Sequence, residues 1–542
     1  MREQPLYLRL NVQVEPLWDQ WYAWSHLIPP ATAARNLTER HLRIMDSFID
    51  GAQFHAEAVK NPKMAGGPFI HLPPERVEDI RQLRDNTLEQ RSSLVRLSKA
   101  FSELDALLWK RATGTSLEPL YAQVPDILRG YVELSYDLSN NPTFRIIESL
   151  IYRSEYYDQS AQSLILSVIS GDDRPFVLST PRLDSSSGAT HLHWPFSDPR
   201  VDQLFRLKSQ PADWGKIRQM LELAPYEEHM FREFLTPVPP KPYEAYKGSG
   251  ARWRYFGHAC ILVETRDVSI LLDPVLSYTY EADISRYTYE DLPDHIHFVL
   301  ITHNHQDHIL FETLLQLRHK IGEVIVPRNG GGSLQDPSLK LTLKNTGFER
   351  VRELEEMETL ETGVVSITGL PFLGEHADLS IGTKLAYLVR LDGHSLLFAA
   401  DSCNIEPSLY EHVHDAVGDV DVLFLGMECD GAPLSWLYGP LLFRKPERAV
   451  DQSRRLAGSN YDQAVDIVNR FRCSEVYVYA MGQEPWLNYV MSIKYTEQSR
   501  PIVESNRLID YCTKRGVICE RLFGEKEILV ETGAECASAL RA

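Results

Sequence analysis

The sequence predicts an α/β domain built around metal-ligating side chains, preceded by a mixed α+β domain that carries no chemical motif of its own. Three observations lead there. Apolar runs end repeatedly in ligand-type residues, four strong metal-binding side chains crowd into positions 303–308, and a proline-rich segment divides the chain ahead of them.

The apolar runs are Leu271-Leu272 ending in Asp273, Val299-Leu300-Ile301 ahead of His303, Phe398-Ala399-Ala400 ending in Asp401, and 423–427 ending in Glu428. Ligands of α/β folds gather beyond the carboxyl ends of strands, so these side chains are placed to converge. A strand-ending aspartate also serves as a turn former, and Asp273 suits a supporting role as well as a direct ligand.

Segment 302–308 carries His303, His305, Asp307 and His308. In extended chain His303 and His305 point the same way, so both imidazoles can reach one ion. Asp307 and His308 open a stretch in which Leu310, Phe311, Leu314 and Leu315 fit one helical face, which sets this second pair at a helix start, suited to a neighbouring ion. Strand, loop and helix fall where a binuclear site needs them.

These residues resemble the metallo-β-lactamase fold family, whose signature H-x-H-x-D-H is present without a gap; the resemblance spans roughly residues 250–485. Segments 255–264 and 269–274 look like the family's opening strands, with Asp273 matching its buried aspartate. Segment 395–402 looks like the strand that delivers a metal-bridging aspartate, here Asp401. The resemblance implies an αββα sandwich, two sheets faced by helices. Hydrolases of this family bind zinc through a third histidine in the segment equivalent to 371–376 and another after a strand like 475–480. This chain departs at both places, with Glu375 beside His376 in the first and Met481-Gly482-Gln483-Glu484 in the second. A set of His303, His305, Asp307, His308, Glu375 and Asp401 is half carboxylate, and oxygen donors shift preference from zinc toward iron or manganese.

The departures, together with the long N-terminal domain, resemble the di-iron β-hydroxylases of nonribosomal peptide assembly lines. That resemblance implies two iron ions: His303, His305 and Glu375 on one, Asp307 and His308 on the other, and Asp401 bridging, with Glu375 and Asp401 closest to the chemistry. His376 competes with Glu375 as ligand, and Glu428 or Glu484 could complete the second ion. The implied reaction inserts one oxygen atom from O2 into the Cβ–H bond of an amino acid held as a thioester on a peptidyl carrier domain of a nonribosomal peptide synthetase, with two electrons from an external donor. The alternative is a di-zinc hydrolase of an ester, lactone or phosphodiester, with His376 as ligand and a bridging hydroxide as nucleophile. A scaffold that kept only the fold would leave buried carboxylates unpaired at high cost. Segment 432–443 could form a dry wall over the site or pack against the N-terminal domain, and His258 suits a hydrogen-bonding role in the pocket.

In the N-terminal half, Leu6, Leu8, Leu10, Val12 and Val14 alternate with polar residues, which predicts a strand with one buried face. Helical patterns follow over about 74–134, including an apolar stripe at 97, 100, 101, 104, 107 and 108 that marks a core or dimer face. A second helical block is predicted over about 143–169, then a strand at 175–179 and a loop at 184–189. His191, His193 and Trp194 read as structural for want of a carboxylate companion. Thr236-Pro237-Val238-Pro239-Pro240-Lys241-Pro242 must be extended. The expected division is 1–236, a linker at 237–250, a metal domain at 251–530 and a tail at 531–542. By resemblance, the first domain serves homodimerisation and carrier docking. The glycine-rich 329–333 lacks the lysine of a phosphate loop and reads as a flexible turn, and no G-x-S-x-G elbow is present.

Composition, with 43% hydrophobic and 24% charged residues among 542, supports at least two cores. The seven cysteines form no C-x-x-C pair and are odd in number, which points to a reducing compartment. No signal peptide is read at the first residues and no apolar run is long enough for a bilayer, so the expectation is a cytoplasmic protein without membrane partners. A net charge of −19 argues against nucleic acid. It would also repel an acidic carrier at long range, so a local basic patch is expected at Arg252 and Arg254, or at Arg444, Lys445 and Arg448 with Arg454 and Arg455.

Overall fold

Two seven-stranded sheets stack face to face across residues 251–530. The computed structural model describes residues 4–183, 188–225 and 228–530; positions 184–187 of the expected loop and the expected tail at 531–542 lie outside the described residues. The first sheet runs Val351–Leu354, Ile321–Pro327, Ile296–Leu300, Ser269–Leu272, Cys260–Glu264, Ala251–Gly257 and Lys526–Val530 in spatial order. The second runs Thr359–Glu361, Val365–Leu370, Ala386–Leu391, His394–Phe398, Val422–Gly426, Glu475–Tyr479 and Ile518–Arg521. Between them lies a core of large side chains, in which Phe398 and Phe424 stack at 4.7 Å and Trp253 meets Phe424 edge-on at 5.1 Å. Helices Pro407–Val417, Tyr461–Phe471 and Arg500–Thr513 bury their apolar faces on the outer side of the second sheet. This is the αββα sandwich implied by the sequence.

The strands that feed the site pair in parallel: Ser269–Leu272 with Ile296–Leu300, and His394–Phe398 with Val422–Gly426. Their carboxyl ends therefore lie at one edge of the sandwich, which sets Asp273, the loop from 302 and Asp401 side by side.

The N-terminal domain is mixed α+β. Trp21–Tyr22, Val12–Trp18, Gln162–Val168 and Ala189–Leu192 form a four-stranded sheet, accompanied by helices Leu42–Ala58, Val77–Gln90 and Ser92–Arg111. Leu97, Ala100, Phe101, Leu104 and Leu108 of the predicted stripe are buried, so that stripe is a core face.

Several expectations are corrected here. The alternating run at 6–14 breaks into Tyr7–Leu8 and Val12–Trp18, and the second piece is buried on both faces because helix Phe311–Leu317 of the metal domain packs on it. Segment 143–169 holds one short α-helix, Glu148–Ile151, and one turn of 3-10 helix, Gln159–Ala161, between strands Pro142–Ile146 and Gln162–Val168. Ser163-Leu164-Ile165-Leu166 is a short, continuously buried run, whose periodicity cannot separate strand from helix. Segment 175–179 is a turn, with Val177 N–H donating to the Tyr489 carbonyl at 2.9 Å. The helices Pro30–Asn36 and Leu42–Ala58 were not anticipated. Nor is 329–333 a free turn: the Gly332 carbonyl accepts from Ile146 N–H at 2.7 Å, and a Cβ at Gly332 (φ +97) would come within 2.1 Å of the Ile146 oxygen.

The two halves share one apolar cluster, in which Leu27, Leu97 and Phe101 belong with Phe311, Leu314 and Leu343. A buried ionic network reinforces the seam. Glu15 accepts from Arg174 at 2.7 Å and from Arg182 at 2.8 Å, and Arg174 also reaches Glu312 at 2.8 Å. Glu312 further accepts from Tyr22 at 2.8 Å and Tyr278 at 2.6 Å. Burial pushes the Glu15 carboxyl up, but the two guanidinium groups outweigh it and hold it at about 2. The helix that follows the metal-type loop is thereby tied to the first domain. Among the described residues no helix is long and apolar enough to cross a membrane, and the six described cysteines are free thiols.

Candidate metal centre

Asp273 leaves its strand with φ +36 and turns its carboxylate under the loop. It accepts from Thr302 N–H at 2.7 Å and Thr302 Oγ1 at 2.6 Å, and its Oδ2 lies 2.8 Å from His308 Nδ1. That pairing assigns the proton to His308 Nδ1 and leaves Nε2 as the free donor, the role of an orienting carboxylate.

His308 Nε2 then faces Asp401 Oδ2 at 3.0 Å and Asp307 Oδ2 at 3.8 Å. Asp401 Oδ2 is also 3.9 Å from His303 Nε2, so this carboxylate stands between the two halves of the cluster. On the other side, Gly374 (φ +75) and Glu375 (φ +64) form a left-handed turn, and a Cβ at Gly374 would press to 2.5 Å from Cys403 Cβ. The turn aims Glu375 inward, with Oε1 2.9 Å from His305 Nδ1 and Oε2 3.5 Å from His303 Nε2. His303 and His305 do face one way, through Nε2 of one ring and Nδ1 of the other. Donor atoms converge in three groups among the described residues: His303, His305 and Glu375; His303, His308 and Asp401; and His258, Asp307 and His308. His376 belongs to none of them. Its ring lies 4.6 Å from that of His305, and its Nδ1 is 3.2 Å from the Gly374 carbonyl.

His258 approaches Asp307 at 3.1 Å, yet its Nδ1 accepts Gly482 N–H at 3.2 Å. A neutral ring that accepts there carries its proton on Nε2, so His258 donates to Asp307 and steadies it. Glu428 lines the same cavity as Asp307, Glu375 and Asp401, whereas Glu484 is held by the Tyr255 hydroxyl; neither joins a converging group. Tyr438, which sequence reasoning placed only within a wall, sets its hydroxyl 2.9 Å from His305 Nε2 and so fixes the other edge of that ring.

Electrostatics set this cluster apart from an ordinary ion-pair network. Burial pushes the Glu375 carboxyl up to about 7, while burial and the neighbouring imidazoles, His308 foremost, hold His303 well below its usual range. His303 Nε2, Glu375 Oε2 and Asp401 Oδ1 are buried without a hydrogen-bond partner. Lone pairs stranded in this way are costly unless a cation meets them, so the donor set fits metal ions. A cavity of about 280 Å³ opens over it, walled by Trp436, Leu437, Leu456 and Met491. Segment 432–443 serves both expected roles, because the Pro440 and Leu442 carbonyls also accept from Arg35 of the first domain. One expected basic patch fails: Arg252 and Arg254 are buried against Glu264 and form no surface patch.

Comparison with known proteins decides the family. Residues 7–239 match the diiron non-heme β-hydroxylase N-terminal domain, and residues 269–437 match the β-lactamase superfamily domain. The chain is 41% identical over 95% of its length, and 98% of the relative's, to the 4-amino-L-phenylalanyl-[CmlP-peptidyl-carrier-protein] 3-hydroxylase of Streptomyces venezuelae. The chain belongs to the diiron non-heme β-hydroxylases. The crystal structure of CmlA, a diiron β-hydroxylase from the same organism, superposes with a TM-score of 0.91 at 39% identity, covering 97% of this chain and all of that one. A single-substitution variant of CmlA gives 0.89 with the same identity and coverage. The hydroxylase reading is thereby favoured, and the di-zinc hydrolase alternative loses its support.

Proposed function

We propose that this hydroxylase inserts one oxygen atom from O2 into the Cβ–H bond of an amino acid held as a thioester on a peptidyl carrier domain of a nonribosomal peptide synthetase. The observation that carries the reading is the convergence of Glu375 with His303 and His305, an oxygen donor where zinc hydrolases supply imidazole. The relative from Streptomyces venezuelae acts, by its name, on a carrier-bound aminophenylalanyl group. In this reading His303, His305 and Glu375 would hold one iron, Asp307 and His308 would hold the other, and Asp401, placed between the two halves of the cluster, would serve both. When bound, the pair of irons supplies O2 reduction, with two electrons drawn from an external donor.

The chain's own residues bind and orient. Asp273 fixes the His308 tautomer, Tyr438 fixes the His305 ring, and His258 holds Asp307. Trp436, Leu437, Leu456 and Met491 keep water from the space where Cβ must sit. The reading includes an N-terminal domain at 1–236 that serves dimerisation and carrier docking, a linker at 237–250, a metal domain at 251–530, a tail at 531–542, and a cytoplasmic location. Strand Leu235–Thr236 closing back on Tyr7–Leu8 supports the first boundary.

Elemental analysis of protein from iron-supplemented cells is expected to give about two irons per chain. Mass spectrometry of aminoacyl-carrier proteins should then show a gain of one oxygen that depends on O2 and a reductant. Two zinc ions with no iron, in protein that leaves every carrier substrate unoxidised, would overturn the reading.

A further inference from the structure

Beside the metal cavity lies a larger cleft of about 710 Å³. The two share Gly66, Pro433 and Trp436 in their walls, and the Trp436 indole N–H donates to the Gly66 carbonyl at 3.0 Å, so this hydrogen bond spans the wall that separates them. Gly66 holds φ +71, and a Cβ there would come within 3.3 Å of Ser492 Cβ. Both domains build the outer cleft, the first through Arg40 and Arg43, the second through Lys445 and Arg448.

Charge in this cleft runs against that of the chain. Its walls carry those four cations and two carboxylates, Glu39 and Asp451, in a protein of net charge −19. The carboxylates are engaged: Asp451 accepts from the Ser435 N–H and hydroxyl, each at 2.8 Å, and Glu39 pairs with Arg43. Lys445 and Arg448 are exposed, and among the described residues no carboxylate pairs with them. Arg40 is only 8% exposed; its Nη2 donates to the Trp436 and Leu437 carbonyls at 2.8 and 2.9 Å, and its Nη1 has no partner. A buried guanidinium without a counter-ion is costly, and an anion in the cleft would offset that cost.

We infer that this cleft receives the phosphodiester of the carrier's flexible thiol arm, 4′-phosphopantetheine, with Lys445 and Arg448 on its oxygens and Arg40 adding charge from beneath. The thioester end enters the metal cavity across that shared wall when the Trp436–Gly66 hydrogen bond opens. This rests on the carrier-bound substrate reading above. An arm bearing one phosphate fits the observations: a cation surplus in the outer cleft, a thin shared wall, and an inner cavity with room for a side chain.

The test is calorimetric titration of the iron-loaded protein with three probes: 4′-phosphopantetheine, pantetheine and inorganic phosphate. 4′-Phosphopantetheine is expected to bind about tenfold more tightly than either of the others, since two charge-assisted contacts are at stake. Lys445→Glu with Arg448→Glu should bring its affinity down to that of pantetheine while iron content and pantetheine binding hold. Gly66→Val should weaken pantetheine-containing probes and leave inorganic phosphate unchanged. No binding of 4′-phosphopantetheine, equal binding of pantetheine, equal binding of phosphate, or indifference to the charge reversal would each overturn the inference. Should 4′-phosphopantetheine bind as expected while no carrier-bound amino acid gains oxygen, the cleft assignment stands and the proposed reaction fails.

Discussion

Glu375 sets its Oε1 2.9 Å from Nδ1 of His305, while the histidine next to it in sequence turns Nδ1 toward the Gly374 carbonyl. One left-handed turn decides which of two adjacent ligand-type residues faces the centre. Glu375→Ala should therefore lower bound iron and cut O2-dependent turnover by at least about a hundredfold, whereas His376→Ala should cost less than about tenfold. Iron content and product yield, measured on both variants, check the ranking; the reverse order would move the ligand to position 376.

The carboxylate of Asp273 touches no other donor of the cluster except through His308. Asp273→Asn keeps the volume but weakens the hold on the imidazole, so iron affinity should fall by about 10–100-fold. Competition with a chelator measures it. An unchanged affinity would show that Asp273 only braces the backbone at Thr302.

Glu148 crosses the seam between the halves, accepting from Ser338 N–H and Asn329 Nδ2, each at 2.9 Å. Burial raises its pKa from 4.5 to about 7. Between those two values the folded chain keeps a proton that the unfolded chain has lost, so stability falls as pH rises through this window. Glu148→Gln cannot ionise. Its melting temperature should decline less than that of the wild type between pH 5 and pH 7.5, by about a few degrees, in scanning calorimetry; parallel curves would refute the assignment.

Removing the acceptor at the centre of the ionic network should be severe. Glu312→Ala leaves Arg174, Tyr22 and Tyr278 facing an empty site, and breaking a buried pair on one side costs about 3–5 kcal/mol. Urea denaturation should show that loss, with Glu312→Gln retaining much of it. Near-equal stability of the alanine variant would mean that water replaces the carboxylate.

The sequence disclosed the centre more fully than the scaffold around it. His303, His305, Asp307 and His308 are contiguous, and Asp401 ends an apolar run, so their convergence follows from strand geometry and local spacing. Tyr438 was legible only as part of an aromatic run, because its contact with His305 spans 133 positions. In the first domain, 162–168 misread as helix because a buried strand covered on both faces loses the alternation that identifies it. In Val12–Trp18, buried at every position, the covering surface includes helix Phe311–Leu317 from far downstream, which no local pattern reports. Arg252 and Arg254 looked like an open basic patch for the same reason: their partner Glu264 is on the adjacent strand.

The unbroken apolar cluster that runs from Leu27 through Phe311 has a practical corollary for anyone dissecting this enzyme. Severing the chain at the prolines after Thr236 would not liberate two modules. It would peel open a greasy seam, leaving each fragment prone to clumping, and the metal-bearing half would lose the brace that steadies the helix behind its histidines.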